Sequence, residues 1–391
     1  MPSVLIVAGE PSGDALAAEL VEAAREIAPE VRFFGATGPE LERAGAERVV
    51  PTSELAVMGL VEVVRQLPAV WRAMGRLEEA AAERRPAGAI LVDSPDFNLR
   101  LAARLRRLGV PVVQYVSPTV WAWRAGRVAT LERNVRRLLL TLPFEAEVYA
   151  GTGVDAVYVG HPAADRIPDP PAPRAEVAGR WRLPEGAPWV ALVPGSRAGE
   201  LARMGPLLAA TAARIREARP EVAFLAPVAP GVSPEAVLDA LAGGPPVTAV
   251  DRDRFHALAH AAAAVATSGT ASLELALLGV PHVVAYRMAG VTFQAARALV
   301  RVDHIALPNL IAGRRVVPEF VQSAATPDAV AAPVLTWLSE AAAADDARQA
   351  LEDVKAAVGP PGTARRAAMA ALEALGLARA GAERTSDQSE V

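Results

Sequence analysis

One stretch constrains the fold more than any other. Residues Ala87 to Asn98 read AGAILVDSPDFN, and the Ala-Ile-Leu-Val run inside it is short, apolar and half β-branched. A run with no polar alternation predicts a strand buried on both faces, which occurs where helices cover both sides of a parallel sheet. The run stops at Asp93, and Pro95 cannot extend the ladder. In open parallel α/β sheets, ligands bind just beyond the carboxyl ends of the strands, so an ionisable group there is placed for chemistry. Asp at a strand end also serves as a turn or cap residue. Position alone leaves both readings open.

The same strand–loop–helix grammar recurs along the chain. Val4–Val7 feeds the loop Gly9-Glu10-Pro11-Ser12-Gly13-Asp14 and an Ala- and Leu-rich helix. That loop lacks the full glycine pattern of dinucleotide or P-loop sites. Its glycines allow close backbone approach, and Glu10, Ser12 and Asp14 offer polar groups; a plain turn and helix cap is the alternative. Further strands are predicted at Val31–Phe34, Val110–Val116, Val135–Thr141 and Ala156–Val159, with a helix at Leu99–Leu108. The strand before Ser117 ends in Ser117-Pro118-Thr119-Val120-Trp121-Ala122-Trp123-Arg124, a composition that suits a ligand wall.

Ile167-Pro168-Asp169-Pro170-Pro171-Ala172-Pro173 reads as a connector. It predicts a first domain over 1–166, a linker over 167–185, a second domain with terminal helices over 186–379, and a polar, disordered tail over 380–391. Beyond the connector the alternation restarts. Trp189–Val193 ends in Pro194-Gly195-Ser196-Arg197, and Ala263–Thr267 ends in Ser268-Gly269-Thr270. Small residues opening a helix leave backbone N–H groups outward, a ready site for a diphosphate, and Glu274 one turn in can accept from ribose hydroxyls. Simple N-capping explains the same residues.

Composition narrows the classes. With 391 residues the chain exceeds one ordinary core; 52% apolar residues make it globular, and the absence of cysteine excludes disulfides and thiolate chemistry. A formal charge of −4 argues against nucleic acid as a partner. His161 has no metal-spaced partner. Asp251-Arg252-Asp253 resembles a two-aspartate metal motif, but its place between a strand and a helix favours capping, so no metal is expected. Met1 runs straight into the first strand without a basic n-region, and the apolar stretch Ala257–Tyr286 is interrupted by polar residues and Pro281. Cytoplasmic residence is therefore expected.

Residues Leu55 to Met74 carry more apolar side chains than one buried helix face needs, with Arg65 and Arg72 interleaved. One reading is an interfacial segment that turns Val61, Val64, Leu67 and Trp71 toward lipid. The other is a core-facing helix pair broken at Pro68.

Taken together, GEPSGD, ELAVMG, DSPDFN, SPTVWAW, LPFE, GHP, PGSR, SGTASLE, YRM and PNLIAGR occur in the order found in lipid-A-disaccharide synthases, which the chain resembles from about residue 3 to 323. The resemblance implies a GT-B fold, two Rossmann-like domains facing each other across a cleft. It implies an inverting transfer of 2,3-diacylglucosamine from UDP to the 6-hydroxyl of 2,3-diacylglucosamine 1-phosphate, with no cofactor. It implies Asp93 as general base and Glu10 as a second active-site residue. Gly195, Ser196, Arg197, Ser268, Gly269, Thr270 and Glu274 would hold UDP, Arg197 having loop bracing as its alternative. Ser12, Gly13, Asn98, Trp123 and Asn309 would meet substrate. Acylated substrates imply peripheral docking on the inner face of the cytoplasmic membrane, which strengthens the interfacial reading. Two departures stand out: Pro68 interrupts the amphipathic helix, and Ala289 follows YRM where family members can carry a lysine. The terminal helices could pack on a second copy, giving a homodimer.

Overall fold

The computed structural model describes residues 1–55, 60–122, 126–288 and 303–378, and for residues 60–66 the backbone only. Two compact units emerge, Met1–Pro162 joined by the segment from Pro361 onward, and Ala163–Pro360.

The first unit runs β1 (Ser3–Ala8), α1 (Pro11–Ile27), β2 (Arg32–Thr37), α2 (Pro39–Arg43), β3 (Glu47–Pro51), α3 (Leu60–Arg84), β4 (Gly88–Val92), α4 (Pro95–Arg107), β5 (Val112–Tyr115), α5 (Arg127–Asn134), β6 (Arg137–Leu140), α6 (Glu145–Tyr149) and β7 (Ala156–Tyr158). Among the described residues its sheet has seven strands in the order β3-β2-β1-β4-β5-β6-β7, with every pairing parallel. The chain winds outward from β1, returns to lay β4 against the other side of β1, and winds outward again. Successive residues of β1 feed opposite cores: Val4 and Ile6 pack with Leu16, Leu20 and Val21 of α1, Leu5 and Val7 with Met74 and Leu77 of α3. Each such side chain contributes about 1.5–3 kcal/mol by leaving water.

Three expectations are corrected here. Helix α4 starts at Pro95, one turn before Leu99, because proline suits the first helical position, where no N–H is required. Helix α3 is continuous from Leu60 to Arg84 and carries Pro68 inside it. Its later turns bury Ala73, Met74, Leu77, Ala80 and Ala81, packing that outweighs one missing backbone donor. The terminal helix Thr363–Ala374 packs in the first unit, not the second. Its Ala367, Ala368, Ala371 and Leu372 are buried against α1 and the sheet. Arg366 Nε donates to the Val159 carbonyl at 2.9 Å. Gly88 leaves room for Leu375, whose Cδ2 would sit 2.2 Å from a Cβ there.

The second unit runs α7 (Ala163–Arg166), α8 (Arg174–Trp181), β8 (Trp189–Val193), α9 (Ala198–Ala218), β9 (Ala223–Pro227), α10 (Pro234–Ala240), β10 (Val247–Val250), α11 (Arg254–Ala259), β11 (Ala263–Thr267), α12 (Thr270–Leu277), β12 (His282–Tyr286), a short helix Leu307–Ala312 and β13 (Glu319–Val321), followed by helices Pro327–Ser339 and Ala341–Val358. Among the described residues the sheet order is β10-β9-β8-β11-β12-β13, again wholly parallel. The predicted linker is partly core. The unit begins at Ala163, and α8 buries Val177 and Ala178 beside the fully buried Trp189. The Arg174 guanidinium stacks 3.8 Å from the Trp189 ring and donates to the His260 and Ala187 carbonyls at 2.9 and 2.7 Å. Thr326 caps its helix as expected, accepting from Ala329 N–H at 3.2 Å. The predicted tail at 380–391 lies outside the described residues.

Candidate active site

Each sheet reverses its winding once, between β1 and β4 in the first unit and between β8 and β11 in the second. At such a switch point adjacent loops splay apart and open a crevice at the strands' carboxyl ends.

At the first, Ala8 is the register partner of Val92, so Gly9-Glu10 and Asp93-Ser94 leave the sheet as neighbours. The approach is close enough to require glycine, since a Cβ on Gly9 would lie 2.2 Å from Ser94 Oγ. Glu10 is exposed at the N-cap position of α1. Asp93 and Ser94 have φ of 53° and 39°, left-handed values that cost on the order of 1–3 kcal/mol each in non-glycine residues. Buried hydrogen bonds hold this backbone. Asp93 N–H donates to Tyr115 O at 2.9 Å. The Asp93 carbonyl accepts from Asn98 Nδ2 at 2.7 Å and Gln114 Nε2 at 3.1 Å. Asn98 Nδ2 also donates to Val92 O at 3.1 Å. The Asp93 carboxyl caps no helix; burial raises its pKa above the ordinary aspartate value, opposed by the Ser94 backbone N–H.

Several expected contacts prove to be brackets. Asn98 is fully buried and spends both amide protons on the backbone of Val92 and Asp93, so it shapes the loop and does not present itself to substrate. Asp14 is buried and accepts from Gly38 N–H at 2.7 Å and Glu40 N–H at 3.0 Å, tying α1 to the start of α2. Asn309 is fully buried; it donates to Val317 O and Glu319 Oε1 and accepts from the Val316 and Val317 N–H groups, which uses its hydrogen-bonding capacity. Ser12 is exposed near the start of α1, and Gly13 is buried where a Cβ would meet Val92 O at 3.8 Å. Trp123 and Ala289 lie outside the described residues.

At the second switch point Ala266 is the register partner of Val193. The loop after β8 is braced by Glu200, whose Oε2 accepts from Ser196 N–H at 3.0 Å and Arg197 N–H at 3.3 Å while packing on Gly195, at φ 109°. The brace is thus Glu200, and the Arg197 side chain stays 69% exposed, 3.7 Å from Glu200. After β11, Ser268 Oγ donates to Ile305 O at 3.0 Å, while Gly269 and Thr270 are exposed at the head of α12. Glu274 is buried one turn in, 3.6 Å from the Arg254 guanidinium. Burial raises its pKa, and Arg254 and Arg166 oppose that rise. Asp253 heads α11, but its carboxylate pairs with Arg180 and does not cap the helix.

Sequence reasoning missed Gln114, Glu200 and Glu319. Glu200 had a signal, being three residues after the N-cap position, the capping-box spacing. Gln114 had a weaker one, a lone polar residue within an apolar strand.

Two parallel α/β units, each reversing its winding once, define the fold class as GT-B. The fold is similar to that of the glycotransferase of kitacinnamycin, with TM-score 0.62, 20% identity, and 96% of this chain and 100% of that one covered. It is equally similar to a UDP-N-acetylglucosamine 2-epimerase from Listeria monocytogenes described as putative, with TM-score 0.62, 14% identity and 97% of each chain covered. At such identities the likeness concerns the fold alone. The Lipid-A-disaccharide synthetase family profile matches residues 4–373. Lipid-A-disaccharide synthase of Anaeromyxobacter dehalogenans is 44% identical over 378 residues, 96% of this chain and 97% of that protein. That of Myxococcus xanthus is 43% identical over 375 residues, covering 96% and 98%. The chain belongs to the lipid-A-disaccharide synthetase family.

Proposed function

We propose that this enzyme transfers 2,3-diacylglucosamine from its UDP derivative to the 6-hydroxyl of 2,3-diacylglucosamine 1-phosphate, with Asp93 as general base. The acceptor hydroxyl is a poor nucleophile because its pKa lies far above neutrality. A fixed carboxylate takes its proton as the new C–O bond forms and the bond to the UDP oxygen breaks, the electron pair leaving with the diphosphate. The observation that carries this reading is the Asp93 backbone, held at a topological switch point by two buried amides beside Glu10. A carboxyl whose pKa is raised by burial is a stronger base. Charge developing on UDP would meet the exposed Arg197 and the head of α12, and Glu274 would meet the ribose.

The acyl chains place both substrates in a bilayer. Among the described residues no helix is long and apolar enough to cross a membrane. Trp71 and Leu67 stand 44% and 40% exposed on α3, and the Arg100 and Arg104 guanidinium groups lie 5.7 and 5.5 Å from the Trp71 ring. Exposed apolar side chains beside Arg100, with Arg104 paired to Glu78 at 2.7 Å, suit the anionic inner face of the cytoplasmic membrane. Val61 and Val64, expected on the same face, have side chains outside the described residues.

Incubation of purified protein with the two acylated sugars should release UDP and form a β-1,6-linked disaccharide 1-phosphate. Release of UDP without that disaccharide would overturn the assignment.

A further inference from the structure

A second buried carboxyl lies near the same end of the first sheet, outside the machinery above. Glu145 opens α6, immediately after the turn that leaves β6, and is 2% exposed. Its Oε2 accepts from Leu142 N–H at 3.1 Å, and its Oε1 accepts from Trp121 Nε1–H at 3.3 Å. The Ser117 hydroxyl lies nearby and donates to the Pro118 carbonyl at 3.0 Å. Ser117 Oγ lies 2.7 Å from the Tyr149 hydroxyl, and the Trp121 ring meets Phe144 edge-on, with centroids 5.1 Å apart. The partners thus come from two loops, the turn after β6 and the segment that leaves β5. That segment starts beside Asp93, because Val92 pairs with Tyr115 and Gln114 bonds the Asp93 carbonyl.

We propose that Glu145 is a positioning residue for acceptor binding: its carboxylate fastens Trp121 to the turn after β6, and so sets the shape of the loop 117–122 that flanks Asp93. The proposal rests on the reading that the acceptor sugar phosphate meets this end of the first sheet. Every partner named on Glu145 is a donor, so the ionised carboxylate satisfies them all. A protonated carboxyl loses the charge that strengthens these bonds and places an O–H beside one of the two donors, which weakens its hold on Trp121. Burial raises the Glu145 pKa to about 7, so the two forms exchange near neutral pH. The titratable groups that face it are Tyr149 on its own helix and Tyr158 on β7; both phenols are pushed up to about 12 by burial and stay neutral over this range. Arg366 acts on Tyr158.

Glu145→Gln keeps an acceptor for Trp121 but sets an NH₂ against the Leu142 N–H. Loss of one charge-assisted bond should raise the acceptor KM about tenfold, leaving the donor KM unchanged and kcat within about threefold. Trp121→Phe, which keeps the edge contact to Phe144, should reproduce the effect, and the double variant should be no worse than either single one. A fluorescence titration without substrate, taken as wild type minus Trp121→Phe, should show a transition between about pH 6 and pH 8 that Glu145→Gln abolishes. An acceptor KM unmoved in both variants, or a transition that persists in Glu145→Gln, would overturn the proposal. Absence of any transfer by the wild type would instead overturn the substrate reading, and the fluorescence titration would still decide the role of Glu145.

Discussion

At Asp93 the backbone and the carboxyl answer to different neighbours. Asn98 and Gln114 hold the carbonyl, and burial sets the basicity of the side chain. Asp93→Asn should therefore keep the loop and UDP affinity while turnover falls by roughly 10²–10⁴, the usual range for an acid–base group. In the wild type kcat/KM should fall on the acid side at a pH above that of an ordinary aspartate; an acid limb unchanged in Asp93→Asn would remove Asp93 from the chemistry. His282 is a separate case. It is fully buried at the start of β12, Nδ1 lies 2.8 Å from Val280 O, and Nε2 has no partner. Burial lowers its pKa to about 4, whereas the unfolded chain protonates near 6.5. The unfolded state thus binds the extra proton first, and stability declines as pH falls from about 6.5 to 4, by on the order of 3 kcal/mol. Denaturant titrations should show that slope, and His282→Asn should flatten it. The strand end at Asp93 was legible from its apolar run, while position alone left capping and chemistry both open. The loop-shaping role of Asn98 was legible too; the brackets of Asp14 and Asn309 were not, since a polar residue inside a motif can face a ligand or bracket a backbone. The bracket partner of Asp14 lies 24 residues away.

Among the elements, α3 departs most from its sequence. Proline lacks the N–H that would reach the carbonyl four residues back, yet the helix continues because its later turns are anchored in the core. Pro68→Ala should raise the urea midpoint, corresponding to about 1–3 kcal/mol. Trp71 is exposed on this helix, so Trp71→Glu should leave the unfolding midpoint nearly unchanged while weakening binding to anionic vesicles about tenfold. Equal co-sedimentation of variant and wild type would sink the membrane assignment. The strands were legible from their apolar runs. Helix α8 was not, because proline-rich flanks read as a linker while its core contacts come from Trp189 and His260, both later in the chain.

For the whole molecule, the alternation of strands and helices announced two parallel sheets, and the order of motifs announced the family. What local pattern could not announce was the path of the last helix. An Ala-rich amphipathic segment carries no label for the surface it covers, and Thr363–Ala374 returns to α1. Truncation after Val358 should therefore destabilise the first unit while leaving the second intact; two unfolding transitions, only the one silent to UDP shifting, would report it.

That return also sets an order of events during synthesis. The second unit is one unbroken stretch, complete once Pro360 has left the ribosome. The first begins earlier but cannot close until its final helix emerges, so α1 must wait with one apolar flank open. The half that is made first finishes last, and through that interval the nascent chain exposes a surface suited to chaperones.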